Sequence, residues 1–264
     1  MKLRDNFWIW GHPTNSLLNS FGIDRKSDMP PVEGTYHLGA TRTFLVPMGR
    51  PCDRKAESEL ARDVAEIGWS IEFAKDHPEN VTEVCELSKT YKNISRGIFD
   101  DFFSPANEAN NFKNYTPEMI RGYRKELNAA GLELWCVLYT ENFRQTDMET
   151  IQSFLDEFDG ISLWFWNEKE VLEDYDKYID IFLKVARDKK RLVGCYIYDF
   201  GAAAPATSKA VIYQLEKARD MIKNGDIEGV ILHTNAVVAA PGEEPYEAVE
   251  TCISWMKENG DEEI

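Results

Sequence analysis

Positive charge is scarce in this sequence. Thirty Lys and Arg stand against 46 Asp and Glu, a formal charge of −16 over 264 residues. Nucleic acid and anionic membrane surfaces would be repelled, so neither is expected as a partner. A neutral ligand, or one held through a metal ion, fits better. Long apolar runs are missing too: none reaches the roughly 18 residues of a membrane span. The opening MKLRDNFWIWGH contains an aspartate and no extended apolar core, so it does not read as a secretory signal. Cysteine is sparse and unpatterned. Cys52, Cys85, Cys136, Cys195 and Cys252 are odd in number and form no CxxC pair, which argues against a disulfide framework and for a reducing, cytoplasmic setting. Cys136 and Cys195 fall inside apolar runs, where a thiol behaves as a small hydrophobe. No GxGxxG or Walker loop follows the first apolar run, so a nucleotide-binding α/β sheet has no support. No linker or composition shift interrupts residues 1–264, which are read as one domain.

What is present is an alternation. Short apolar runs fall at Phe7–Trp10, Thr43–Val46, Trp69–Phe73, Ile94–Phe103, Leu132–Tyr139, Ile161–Trp166, Leu192–Tyr198 and Gly229–Leu232. Each is bounded by turn residues and followed by a segment of helical period, as expected for buried parallel strands with crossover helices. The helices are placed at about 32–38, 53–67, 81–91, 116–131, 148–158, 171–188, 207–224 and 245–258. Thr116-Pro117-Glu118 opens one of them, and Gly131 and Gly225 close two. The Asn-rich loop Ser104–Tyr115 is long enough to close over a ligand. The terminal GDEEI is expected to fray. Eight strand–helix units in about 250 residues predict an α/β fold, a single (β/α)8 barrel.

Active sites of such barrels sit at the C-terminal ends of the strands. Read in order, those ends give His12, Arg50, Glu72, Asp100 with Asp101, Glu141, Glu168, Asp199, and His233 with Asn235. The opposite ends carry Gly68, Gly131, Gly160, Gly194 and Gly229. Asp100 and Asp101 stand out, because an unpaired charge on a buried strand costs several kcal/mol or forces a pKa shift. Side chains alternate along a strand, so one of the two should face the barrel axis, while the turn at the strand's end can present both to the mouth. Two close acids do not ionise equally, and the one keeping its proton can act as general acid. Candidate catalytic residues are therefore Asp100, Asp101, Glu168 and Asp199. Candidate substrate-binding residues are His12, Glu72, Tyr139, Glu141, Trp166, Tyr198, His233 and Asn235.

Trp8, Trp10, Trp164, Trp166, Tyr139, Tyr196 and Tyr198 lie on or at the ends of strands. Flat apolar faces with polar edges suit pyranose rings, so a small-molecule carbohydrate is the expected ligand. The residues themselves leave three readings open: a glycosidase without a cofactor; a sugar isomerase, epimerase or lyase using a divalent metal held by Glu72, Asp101, Glu141, Asp199 and His233; and a barrel that binds carbohydrate without turnover.

The segment Gly97-Ile98-Phe99-Asp100-Asp101-Phe102 resembles the Asp-Asp motif ending the fourth barrel strand of O-GlcNAc hydrolases and related N-acetylhexosaminidases. That resemblance implies that Asp100 orients the substrate's acetamido group, which itself attacks, and that Asp101 is the acid/base. Asn167-Glu168 is similar to the Asn-Glu pair of many retaining glycosidases, although here it follows the sixth strand. A nucleophile on strand four with an acid on strand six would make Asp100 or Asp101 the nucleophile and Glu168 the acid.

Overall fold

The eight apolar runs pair edge to edge, all parallel, into a closed ring. A computed structural model describes residues 1–104, 111–238 and 244–264. The barrel strands are β1 (Phe7–Gly11), β2 (Arg42–Leu45), β3 (Glu66–Ser70), β4 (Ile94–Phe99), β5 (Glu133–Tyr139), β6 (Gly160–Trp164), β7 (Lys190–Tyr196) and, after a short hairpin β8 (Tyr198–Asp199) and β9 (Ala204–Pro205), β10 (Gly229–His233). The ring closes where β1 pairs with β10, Phe7 opposite Val230. The helices are α1 (Pro31–His37), α2 (Arg54–Leu60), α3 (Glu79–Thr90), α4 (Pro117–Ala129), the single turn α5 (Asn142–Gln145), α6 (Met148–Leu155), α7 (Glu168–Val185), α8 (Ser208–Asn224) and α9 (Glu247–Asn259). The (β/α)8 expectation holds.

The barrel interior is filled by rings, as small barrels require. Trp8 and Phe44 pack with centroids 4.7 Å apart, and Trp10 meets Trp164 edge-on at 5.4 Å. Glycine on one strand makes room for an aromatic on the next: a Cβ at Gly194 would sit 1.9 Å from the Trp164 ring, and one at Gly68 2.4 Å from Phe44. Gly68 therefore belongs inside β3. The sequence pattern had run the preceding helix on to Ile67; in fact α2 stops at Leu60, whose side chain is 66% exposed, and β3 begins at Glu66. Helical spacing of Leu60, Val64 and Ile67 was coincidental, because only the last two are buried.

Caps set several boundaries. Thr116 accepts from the Met119 amide, Asn167 from Glu170 and Thr207 from Ala210, each supplying a partner to an otherwise orphan N–H. Gly225 closes α8 at φ 76°. The expected fraying of the C-terminal tail is overturned. The Leu3 amide donates to Glu262 O and the Ile264 amide to Met1 O, while Asp261 pairs with Lys2 and Arg4. These contacts tie the two chain ends together beneath the barrel. Most of the loop expected to close over a ligand, 105–110, lies outside the described residues; Phe112–Asn114 form a single 3-10 turn.

Candidate active site

At the C-terminal mouth a pocket of about 110 Å³ opens on the barrel axis. Its titratable lining is Asp100, Asp101, His12, His233, Tyr139 and Tyr196; its aromatic lining is Trp10, Trp164, Trp166, Phe21 and Phe200, with Leu17 and Met48 beside them. Six sequence candidates thus converge there: His12, Asp100, Asp101, Tyr139, Trp166 and His233. Among the described residues no Lys or Arg lines the pocket.

The acid pair sits as the end of a strand dictates. β4 stops at Phe99, Asp100 continues its inward alternation, and Asp101 turns the chain at φ 52°, in the left-handed region that aspartate tolerates better than most residues. Both carboxyls therefore face the pocket. Asp101 Oδ1 accepts a 2.8 Å hydrogen bond from the Tyr139 hydroxyl. Burial pushes the Asp100 carboxyl well above the usual carboxylate range, and the charges of Asp101 and Glu72 push it further. Asp101 is raised by burial, with the Tyr139 hydrogen bond opposing the shift. The two carboxyls lie close enough to titrate as a pair, and burial favours the protonated form of both, with the Tyr139 hydrogen bond supporting the ionised form of Asp101.

Glu72 lies just behind the pair. It is 7% exposed, accepting from the Ser70 hydroxyl at 3.0 Å and from the Gly49 amide at 3.1 Å. Burial raises its pKa, against those two bonds and aided by the Asp101 charge.

Both histidines are neutral. Burial, with Arg50 nearby, pushes His12 down to about 4; its Nδ1 lies 3.2 Å from Val46 O, an acceptor, so Nδ1 carries the hydrogen and Nε2 accepts. His233 is driven well below its ordinary value by burial and by His12, whose ring centroid is 5.4 Å away. Among the described residues its Nδ1 has no hydrogen-bond partner. Tyr196 packs on it at 4.8 Å and Phe200 at 4.9 Å.

Other candidates are placed elsewhere. Asp199 spends its two oxygens on the Glu168 and Ala202 amides, bracing the turn after β8. Glu168 accepts from the Thr207 amide and hydroxyl, joining the starts of α7 and α8 on the outer layer. Glu141 precedes α5 and accepts from Gln145 at 3.4 Å. Tyr198 donates to Phe21 O at 2.9 Å and so holds the pocket's roof rather than lining it. Asn235 is fully buried; it accepts from the His12 amide and donates to the His12 and Met29 carbonyls, stitching the loop after β1 to β10. Arg50 donates to Ser16 O, a second tie on that loop. The five-residue metal set is not gathered: Asp199 and Glu141 point away, and among the described residues no three His, Cys, Asp or Glu side chains are grouped to hold an ion. No helix among them is long and apolar enough to cross a membrane.

Trp10, Trp164 and Tyr196 were noted in the sequence only as strand aromatics. Alternation from His12 and Trp166 places Trp10 and Trp164 on the same inward face. Leu17, Phe21, Met48 and Phe200 come from loops and left no such signal. A larger hollow of about 450 Å³ lies at the opposite end of the barrel. Arg124 pairs there with Asp159 and Lys190 with Glu133, so acids and bases are mixed, whereas no Lys or Arg lines the smaller pocket among the described residues.

No family model matches the chain, and no curated protein matches it in sequence. Solved structures share its fold. An assigned α-L-fucosidase from Bacteroides thetaiotaomicron aligns with TM-score 0.58 at 9% identity over 88% of each chain. The tryptophan synthase complex of Pyrococcus furiosus aligns at 0.53 and 12% over 96% of each chain. A chitinase from Chromobacterium violaceum aligns at 0.50 and 11%, over 83% of this chain and 92% of its own. At such identities the likeness establishes the (β/α)8 barrel, an architecture these enzymes use for different reactions.

Proposed function

We propose that this chain is a glycoside hydrolase whose acid pair is Asp100 and Asp101. The observation that carries the reading is two adjacent carboxyls, pushed up in pKa, facing an aromatic pocket at the catalytic end of the barrel. Asp100 holds the proton that must reach the glycosidic oxygen as the C–O bond breaks. Asp101 carries negative charge, which Tyr139 supports. Trp10, Trp164 and Trp166 offer flat faces to the sugar's C–H surface, and neutral His12 offers an acceptor to a hydroxyl.

Consecutive residues at one strand end approach a ligand from one side. They do not flank an anomeric carbon as separate acid and nucleophile do, which favours a reaction whose nucleophile comes from the substrate. An N-acetylhexosaminide supplies one: Asp101 accepts from the acetamido N–H, the acetamido oxygen attacks C1, and Asp100 protonates the departing oxygen. Water then opens the cyclic intermediate and returns the proton to Asp100. The resemblance of the motif points to the same substrates with the two aspartates exchanged; the Tyr139 hydrogen bond, which supports a charged Asp101, favours Asp100 as proton holder.

The test is a panel of aryl glycosides that includes N-acetylglucosaminide, N-acetylgalactosaminide, glucoside and fucoside. The N-acetylated members are expected to be cleaved, with Asp100→Asn and Asp101→Asn each lowering kcat about a thousandfold. Undiminished turnover in both variants would remove the assignment.

A further inference from the structure

We infer that the pocket continues outward into an apolar rim, built by Phe21 and Met48, which receives the leaving group of the substrate. The preferred glycosides then carry an alkyl or aromatic aglycone rather than a second sugar. This rests on the hydrolase reading and deepens it. The lining of the pocket divides by origin. The strand ends supply every titratable side chain that lines it, among them Asp100, Asp101, His12 and His233, whereas the loops supply Leu17, Phe21, Met48 and Phe200. None of these four offers a strong hydrogen bond. A second sugar would lay its hydroxyls against side chains that cannot pair with them, while an apolar aglycone would exchange water for matching surface.

The two rim residues stand open to solvent, Phe21 at 43% and Met48 at 39% exposed. Other large apolar side chains this exposed among the described residues, such as Leu60 and Ile212, do not line this pocket. Both rim residues sit in left-handed backbone, at φ 51° and 57°, which is unfavourable for side chains of their size. Both are nevertheless fixed. The Tyr198 hydroxyl donates to Phe21 O at 2.9 Å, and the Phe21 ring meets Trp166 and Phe200 edge-on, with centroids 5.9 and 5.4 Å apart. The Met48 turn is closed by the Arg50 amide on Pro47 O at 3.2 Å and by the Gly49 amide on Glu72. Arg50 also ties the two loops together through Ser16 O at 3.0 Å. Fixed apolar surface at the mouth of a polar pocket suits a ligand with a polar head and an apolar tail.

The probes are alkyl glycosides, methyl to octyl, of the sugar that the aryl panel selects, N-acetylglucosamine by expectation, together with its disaccharide. Their leaving alcohols grow in apolar area at nearly constant acidity. For the wild type kcat/KM is expected to rise about tenfold from methyl to butyl and then level off as the rim fills, with the disaccharide no better than the methyl glycoside. Full-length Phe21→Ser or Met48→Ser is expected to bring the octyl-to-methyl ratio down to about threefold or less. Because the readout is a ratio within one protein, a variant that merely folds poorly lowers both members alike. A ratio unchanged in both variants, a flat series in the wild type, or a disaccharide preferred to the butyl glycoside would overturn the inference. If no glycoside is cleaved, the hydrolase reading fails by itself, and the rim is read by calorimetry. Octyl N-acetylglucosaminide below its micelle concentration is then expected to bind about tenfold tighter than the methyl compound to the wild type, but not to Phe21→Ser. Equal binding of the two, or none, contradicts the rim.

Discussion

The two ends of the barrel hold the same kinds of residue in opposite states. At the N-terminal end Arg96, its side chain 6% exposed, lies between the faces of Trp8 and Trp135, with its guanidinium carbon 4.3 and 4.6 Å from the ring centroids. It pairs with Glu66 at 3.0 Å, which also holds Arg42, and Lys190 pairs with Glu133. The acids Glu66 and Glu133 there each have a cation partner. At the C-terminal end Glu72, Asp100 and Asp101 crowd together, and no cation lines their pocket among the described residues. A folded chain gains from the first arrangement and loses from the second. The difference separates the end that holds the barrel together from the end that is available for chemistry.

That contrast can be broken from either side. The largest expected effect is at the mouth: Asp100→Asn loses about a thousandfold in turnover, yet its thermal midpoint rises, because a crowded acid has been removed. At the base Arg96→Ala does the reverse. It lowers stability by about 2–5 kcal/mol in denaturant titration, since the long side chain packed between Trp8 and Trp135 is removed, while the remaining folded protein keeps its KM. Tyr139→Phe removes the donor to Asp101 and is expected to lower kcat/KM about tenfold, or ~1.4 kcal/mol. Glu168→Ala, on the outer layer, should change stability by no more than about 1 kcal/mol and leave kcat/KM within about twofold. A large kinetic loss there would restore the strand-six acid.

Stability against pH sharpens the same contrast. Folded His12 releases its proton near pH 4, whereas the free imidazole does so near 6.5. Between these values the unfolded chain binds more protons, so stability is full above about 6.5 and is lost as pH falls toward 4. Asp100 acts in the opposite sense. Its raised pKa means the folded chain holds the extra proton, so its contribution is best below the ordinary carboxyl range and worsens as pH rises through the shifted value. Asp100→Asn should reduce the alkaline decline, to which Asp101 and Glu72 also contribute, and leave the acid one, as read from thermal midpoints across pH.

Much of this was legible in the residues. Eight apolar runs alternating with helical periods carry the barrel, because a parallel strand must be apolar on both faces and a crossover helix must bury one stripe. Asp100 and Asp101 were legible because carboxyls are out of place on such a strand, and His12 and His233 because each directly follows one. Glu168, Asp199, Tyr198 and Asn235 also follow strands, yet they turn outward or into the loop scaffold: past the last ladder bond, alternation no longer dictates direction, and nearby amides and hydroxyls capture the side chains. Phe21 and Met48 reach the pocket through loop turns at φ 51° and 57°, which no periodicity announces. The tail was misread for a related reason. Its partners Lys2, Arg4 and Lys223 are remote in sequence, so nothing local showed that its charges were matched.

The most direct measurement is a carbon-13 titration of the aspartate carboxyls in the full-length protein, with Asp100→Asn and Asp101→Asn as assignments. One carboxyl, lost in Asp100→Asn, should keep its proton well above the ordinary range, and its titration should shift downward in Asp101→Asn, once the neighbouring charge is removed. Two carboxyls ionising independently near pH 4 would contradict the shared proton on which the proposed chemistry depends.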